Sequence, residues 1–170
     1  MTTESERFDR LPPEAAPDDD LALSRERVLD WWVDRFAIPR DRFADYTFWE
    51  RGAGKVWAFR GDLPSPVPIQ GLGLFVLRTG GEHWKPTTNA VQRFGRGATR
   101  NVIDLTPDEA VRFVAGEDQA VAWDGDWGYL IAAHDLAGAS EPLGVGLYLH
   151  GELRSTVPKG RRESLQPREG

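Results

Sequence analysis

The sequence predicts an α+β fold, in which a small α/β unit precedes a small mixed β-barrel with one or two helices. Three observations predict it. Short aromatic and β-branched segments are separated by glycine-containing turns. Two segments combine helical periodicity with capping residues. No regular strand–helix–strand alternation of the kind that builds a parallel sheet occurs. With 40% hydrophobic residues, including seven Trp and eight Phe, the 170-residue chain can fill one or two cores.

The first unit begins after a polar stretch. Residues 1–22 are rich in Pro, Asp and Glu and predict a disordered acidic leader. Ser24 can cap a helix that ends before Pro39. The apolar side chains that recur at helical spacing in this segment are Val28, Leu29, Trp32, Val33 and Phe36.

The rest of the first unit is predicted to be mainly β. Residues 46–49 and 56–59 flank the turn Gly52-Ala53-Gly54 and predict a hairpin. A third strand is expected at 72–78, followed by a short helix at about 89–94 that Gly95 and Gly97 close. These elements predict an α+β domain over residues 23–97.

The second unit is richer in strands. A strand at 101–105 precedes Thr106-Pro107-Asp108-Glu109, which has the pattern of a helix capping box with proline at the first helical position. Further strands are expected at 119–123, 128–133, 143–150 and 152–156. We therefore predict a β-barrel domain over residues 98–162 and a tail at 163–170.

Several function classes lack their sequence requirements. The absence of cysteine excludes disulfides, thiolate metal sites and a cysteine nucleophile. His83, His134 and His150 have no ligand spacing, and no nucleophile-elbow motif is present. We therefore expect no enzyme activity, no cofactor and no metal. No apolar run approaches the length of a membrane span and no signal pattern is visible, so a cytoplasmic protein is expected.

The choice of charged residues is unusual. Of the 21 basic residues 18 are Arg, and Asp (15) outnumbers Glu (12). A carboxylate-rich surface with little Lys is typical of salt-adapted proteins, so we expect a salt-adapted source. A high-GC genome, which favours Arg codons, is the alternative explanation. Solubility and folding that improved on removal of salt would count against salt adaptation.

The net charge of −6 is unevenly distributed. Residues 71–100 carry +4 and residues 151–170 carry +2, whereas residues 101–150 carry −8. If the two basic segments share one face, they form the electrostatic footprint of a phosphate-bearing partner. Ordinary solvated charges on unrelated surfaces are the alternative.

Two short motifs lie inside these basic segments. Gly95-Arg96-Gly97 can hold a nucleic-acid backbone, because glycine permits close approach and arginine pairs with phosphate, or it can be a plain turn. Pro158-Lys159-Gly160-Arg161-Arg162 places three cations within four residues and predicts a phosphate clamp. Its alternative is a basic tail that balances acidic neighbours.

A longer pattern spans residues 70–162. It consists of Gly71-Leu72-Gly73-Leu74-Phe75-Val76-Leu77-Arg78, Lys85-Pro86, Asn101-Val102-Ile103-Asp104-Leu105, Glu109-Ala110, Phe113, Gly116-Glu117, Gly128-Tyr129-Leu130-Ile131, Pro142-Leu143-Gly144-Val145-Gly146 and Pro158-Lys159-Gly160-Arg161-Arg162. It resembles the C-terminal RNA-binding region of Sun-type rRNA cytosine-5 methyltransferases and stand-alone ribosome-biogenesis PUA proteins. The resemblance implies a pre-PUA unit followed by a PUA-like mixed β-barrel. The methyltransferase domain and its cysteines are missing, so the resemblance implies binding without catalysis.

The partner that this resemblance implies is RNA, either rRNA or tRNA. A separate RNA-modifying enzyme is a second candidate partner. The expected RNA-binding residues are Arg78, Lys85, Arg93, Arg96, Arg100, Gly144, Gly146, Arg154, Lys159, Arg161 and Arg162. Two alternatives remain open: a protein-interaction adaptor that docks through exposed Trp31, Trp49 or Trp84, and a small-molecule enzyme.

Overall fold

A computed structural model describes residues 7–15, 17–18, 22–66, 72–81 and 83–157. The chain divides into two compact units, Met1–Lys85 and Pro86–Gly170. Each unit contributes a five-stranded sheet to the structure.

The first unit builds its sheet in simple sequence order. Its elements are β1 (Asp9–Arg10), α1 (Arg25–Phe36), a 3₁₀ helix (Arg40–Phe43), β2 (Tyr46–Glu50), β3 (Lys55–Arg60), β4 (Leu74–Arg78) and β5 (Lys85–Pro86), whose second residue is the first of the next unit. The strand order is β1-β2-β3-β4-β5, and the first three pairings are antiparallel. The predicted hairpin of β2 and β3 is confirmed.

Helix α1 has the predicted cap. The Ser24 hydroxyl accepts a hydrogen bond from the Arg27 N–H, which satisfies one of the donors left unpaired at a helix start. Ala37, in the left-handed region at φ 52°, ends the helix. The inner face of α1 buries Trp32 and Phe36 completely, and Trp32 lies 6.2 Å from Phe43 between ring centroids. Aromatic burial therefore holds the helix in the first unit.

The N-terminal segment is more ordered than the sequence predicts at residues 7–11. Phe8 is fully buried, and β1 pairs with β2. The Arg10 guanidinium donates to the Asp62 carboxylate at 2.7 Å and lies over the Trp49 ring at 5.6 Å. This hydrogen bond lowers the pKa of Asp62. Burial of Phe8 and Leu11, the pairing of β1 with β2 and the Arg10–Asp62 contact together attach a stretch that composition alone marks as disordered.

The second unit has a mixed sheet, as predicted. Its elements are α2 (Thr88–Phe94), β6 (Val102–Asp104), α3 (Pro107–Val114), β7 (Gln119–Ala120), β8 (Gly128–Leu136), β9 (Ala139–Leu149) and β10 (Glu152–Ser155). The strand order is β6-β8-β9-β10-β7, with β6 parallel to β8 and the other pairings antiparallel. Within the described residues the edge strands β6 and β7 do not pair, and the sheet forms a curled half-barrel, which is consistent with the expected PUA-like β fold.

One face of this sheet packs under α3. The Thr106 and Glu109 capping box is present in full, which confirms the predicted helix start. Phe113 is fully buried in a cluster with Leu130, Tyr148 and Leu153. Because side chains alternate along a strand, the residues beside these three point to the opposite face.

Helix α2 belongs to the second unit, whereas the sequence predicts a boundary after residue 97. The helix packs on β9, and its Gln92 amide donates to the Leu143 carbonyl at 2.7 Å. The Thr88 hydroxyl lies 3.4 Å from the Val145 nitrogen. These contacts join segments more than 50 residues apart, so local sequence does not reveal them.

No helix within the described part of the chain is both long and apolar enough to cross a membrane.

Candidate nucleic-acid interface

Three exposed arginines follow one another at the end of α2. Arg93 is in the last helical turn, and Arg96 and Arg100 lie in the loop that follows. We call Arg93, Arg96 and Arg100 the α2 basic cluster. The chain turns there because the Gly95 N–H closes the helix on the Val91 carbonyl and Gly97 adopts φ 86°. This confirms the predicted glycine turn and places three cations within eight residues.

Arg96 has a partner in the same unit. Its Nε and Nη2 atoms both donate to one Glu141 oxygen, at 3.1 and 2.8 Å, from the end of α2 to β9. The Arg96 side chain nevertheless remains 65% exposed. An exposed ion pair of this kind contributes little to stability, so a phosphate can compete with Glu141 for the guanidinium.

Arg154 lies on the sheet itself. Register places Tyr129, Leu147 and Arg154 side by side on β8, β9 and β10. Their chain neighbours Leu130, Tyr148 and Leu153 belong to the buried cluster under α3. The row therefore faces away from α3, and we call Tyr129, Leu147 and Arg154 the outer row. Arg154 is exposed and its Nε donates to Glu152 at 3.0 Å.

The remaining predicted RNA-binding cations lie either in the first unit or outside the described residues. Arg78 and Lys85 belong to the first unit, where Arg78 is exposed and lies 5.0 Å from the Phe75 ring centroid. Lys159, Arg161 and Arg162 lie outside the described residues. The structure therefore brings together Arg93, Arg96, Arg100 and Arg154 in one unit, while a shared basic face for the whole set stays a prediction.

Gly144 and Gly146 differ from their predicted role. Both are buried in β9, and a Cβ atom at Gly146 would lie 2.5 Å from Leu153 Cδ1 and 3.2 Å from Phe113 Cε2. A Cβ atom at Gly144 would meet Thr88 Oγ1 at 3.0 Å. The space that these glycines leave is filled by side chains of their own unit. They permit close packing of the protein on itself instead of close approach of RNA.

Sequence reasoning missed an exposed aromatic pair. The Trp127 side chain is 54% exposed, and its ring centroid lies 4.8 Å from that of His150 in an edge-on arrangement. Trp127 precedes β8, and His150 occupies the turn between β9 and β10, so both rings are at the same end of the sheet. The available sequence signal is a Trp placed directly after the polar turn Asp124-Gly125-Asp126, outside any apolar periodicity.

The tryptophans nominated for an adaptor role have other surroundings. Trp49 is fully buried, which removes it from any docking surface. Trp31 and Trp84 are half-buried and lie 6.1 Å apart between centroids. Arg27 covers the Trp84 ring at 5.0 Å. These rings thus contribute to the packing of the first unit.

The histidines have individual environments. His134 Nδ1 lies 2.8 Å from the Leu105 carbonyl oxygen, which can only accept, so this nitrogen carries the proton. Among the described residues no group of three or more His, Cys, Asp or Glu side chains is placed to hold a metal ion.

Comparison with protein families gives one match in each of the two units. Residues 100–163 match the family described as the methyltransferase RsmF PUA domain. Residues 1–73 match a family of unknown function, DUF7122. No curated protein matches the chain. The first match confirms the PUA-like region that resembles the C-terminal part of Sun-type methyltransferases. Since PUA domains bind RNA, it also indicates an RNA partner.

Proposed function

We propose that the protein is a non-catalytic RNA-binding protein that acts in rRNA or tRNA modification or in ribosome assembly. The match of residues 100–163 to a methyltransferase PUA domain carries the proposal. The α2 basic cluster and Arg154 support it, because they place four exposed cations in the unit that contains the match. A separate RNA-modifying enzyme is the natural partner of such a module, and the cytoplasm is its expected location.

The proposed mode of binding is electrostatic at the backbone. Arginine pairs with phosphate oxygens through two parallel donors, and release of counterions then favours association. From the start of α3 to the end of β8 the unit carries seven acids and a single base, Arg112, so contact with phosphate is expected at the basic α2 end instead. In a salt-adapted host the counterion contribution shrinks, and bidentate arginine contacts have to supply more of the affinity.

Replacing Arg93, Arg96 and Arg100 together by Ser should weaken binding of a single-stranded RNA at least tenfold in low salt. Three lost phosphate contacts should also make the plot of log affinity against log salt shallower by about 2. Arg42, Lys55 and Arg60, three exposed bases of the first unit, replaced by Ser form the control with the same change in net charge. Replacing Lys159, Arg161 and Arg162 by Ser tests the predicted clamp in the same assay.

The proposed phosphate contact is wrong if the α2 triple variant and its control lower the affinity and the salt slope equally. In that case the loss reflects net charge alone. A clamp variant with unchanged affinity and slope would remove Lys159, Arg161 and Arg162 from the interface.

The class of RNA is tested by cross-linking in the native host followed by sequencing. Enriched positions in rRNA or tRNA are expected, because the proposed role is in their modification or assembly. A co-purifying protein without enriched RNA positions would instead favour the adaptor, with the aromatic side chains as its docking groups.

A further inference from the structure

We infer that Trp127 and His150 form a platform on which an unpaired RNA base stacks, beside the outer row of the second sheet. The inference rests on the proposed RNA binding and adds which form of RNA is recognised: an unpaired nucleotide. It starts from the aromatic pair, whose rings lie 4.8 Å apart at an interplanar angle of 68°. In this edge-on arrangement the two rings do not stack on each other, and Trp127 remains 54% exposed, so part of its surface is accessible to a base.

The loop that carries Trp127 is preorganised. The Trp123 indole N–H donates to the Asp126 carbonyl at 2.9 Å, and a Cβ atom at Gly125 would lie 2.5 Å from the Trp123 ring. The turn is therefore wrapped tightly over Trp123, and Trp123 packs against the buried cluster under α3. The backbone at Trp127 is therefore fixed to the core through Trp123. Binding of a base there costs little conformational entropy, because few protein residues have to become ordered.

The turn that carries His150 is equally constrained. His150 and Gly151 have φ values of 51° and 82°, which is the pattern of a tight two-residue hairpin turn. Such a turn follows the twist of β9 and β10 and holds its first residue in a defined place. Two constrained turns therefore hold the two rings in edge-on contact.

The charges around the platform favour a base over a phosphate. Asp124 and Asp126 are exposed in the adjacent turn and disfavour a phosphate close by. Register places Arg154 two strands from Tyr129 in the outer row, about 10 Å between backbones, and Tyr129 lies two residues after Trp127. A nucleotide can then place its uncharged base on the rings while its backbone approaches Arg154. Stacking on aromatic side chains is a general way to hold unpaired bases.

Replacing Trp127 by Ala in the full chain should weaken binding of a 12-nucleotide single-stranded RNA about tenfold. The salt slope should not change, because stacking releases no counterions. Binding of a 12-base-pair RNA duplex should change less than twofold, since its bases are already stacked. A 2-aminopurine in the single strand should be quenched by the wild-type protein and less so by the variant. Trp127→Phe, which keeps an aromatic face, should stay within about threefold of wild type.

Val111→Ala is the matched control, because Val111 is 53% exposed on α3, the helix that covers the other face of the sheet. The platform would be overturned if Trp127→Ala and wild type showed equal affinity for the single strand and equal quenching of 2-aminopurine. In that case a steep salt slope in the wild-type protein would still support the proposed RNA binding. If the wild-type chain binds neither the single strand nor the duplex, the proposed RNA-binding function is wrong, and the platform is wrong with it. A parallel loss of duplex and single-strand affinity would also overturn the inference, since it removes the preference for an unpaired base.

Discussion

Phe113→Ala should destabilise the second unit by about 3–5 kcal/mol, which is the range for removing a large aromatic side chain from a core. Phe113 is fully buried in the cluster that also contains Leu130, Tyr148 and Leu153. Its ring also lies against Gly146, so the substitution opens a cavity that β9 cannot fill with a side chain of its own. Urea unfolding of the full chain measures the loss.

Val111→Ala on the same helix is the control for Phe113→Ala. Val111 is exposed and alanine is the better helix former, so its effect should stay within about 0.5 kcal/mol. Equal destabilisation by the two substitutions would contradict the burial of Phe113 as the source of the loss. Hydrogen exchange of the β8 and β9 amides assigns the loss to the second unit.

Trp32→Ala should destabilise the first unit by a similar amount, about 3–5 kcal/mol. Trp32 is fully buried, and its ring lies near those of Phe36 and Phe43. The adjacent Trp31 is only half-buried, so Trp31→Ala should cost clearly less. Urea unfolding of both variants gives the comparison.

The pair of variants also separates packing from docking. A large loss for Trp31→Ala and a small one for Trp32→Ala would contradict the burial of the two side chains. If Trp31→Ala leaves stability intact but abolishes capture of a partner protein, the adaptor function gains its first direct support. If it leaves both unchanged, Trp31 has no role as a docking residue.

Local sequence was enough to predict most helices and strands. The capping box at Thr106 and Glu109, the Ser24 cap and the hairpin around residues 52–54 are decided by hydrogen bonds and turns between near neighbours. The motif spacing likewise indicated the PUA-like region that residues 100–163 match. The caps and the hairpin depend on a few consecutive residues, so the sequence contains them completely.

Contacts distant in sequence were not predictable in this way. The order of residues 7–11 depends on burial of Phe8 and on Arg10 reaching Asp62, 52 residues away. Helix α2 joined the second unit because Gln92 binds the Leu143 carbonyl on β9. Neither partner is distinguished by its own neighbours in the chain.

For the candidate site, the sequence by itself determined the kind of chemistry: arginines in glycine turns, no cysteine, and a PUA-like pattern that indicates RNA. The tertiary structure decided which residues are available for it. It buried Gly144 and Gly146 under their own unit, aligned Arg154 with Tyr129, and exposed Trp127 beside His150. The physical reason is that composition sets which interactions a side chain can make, whereas strand register and burial set which of those side chains a partner can reach.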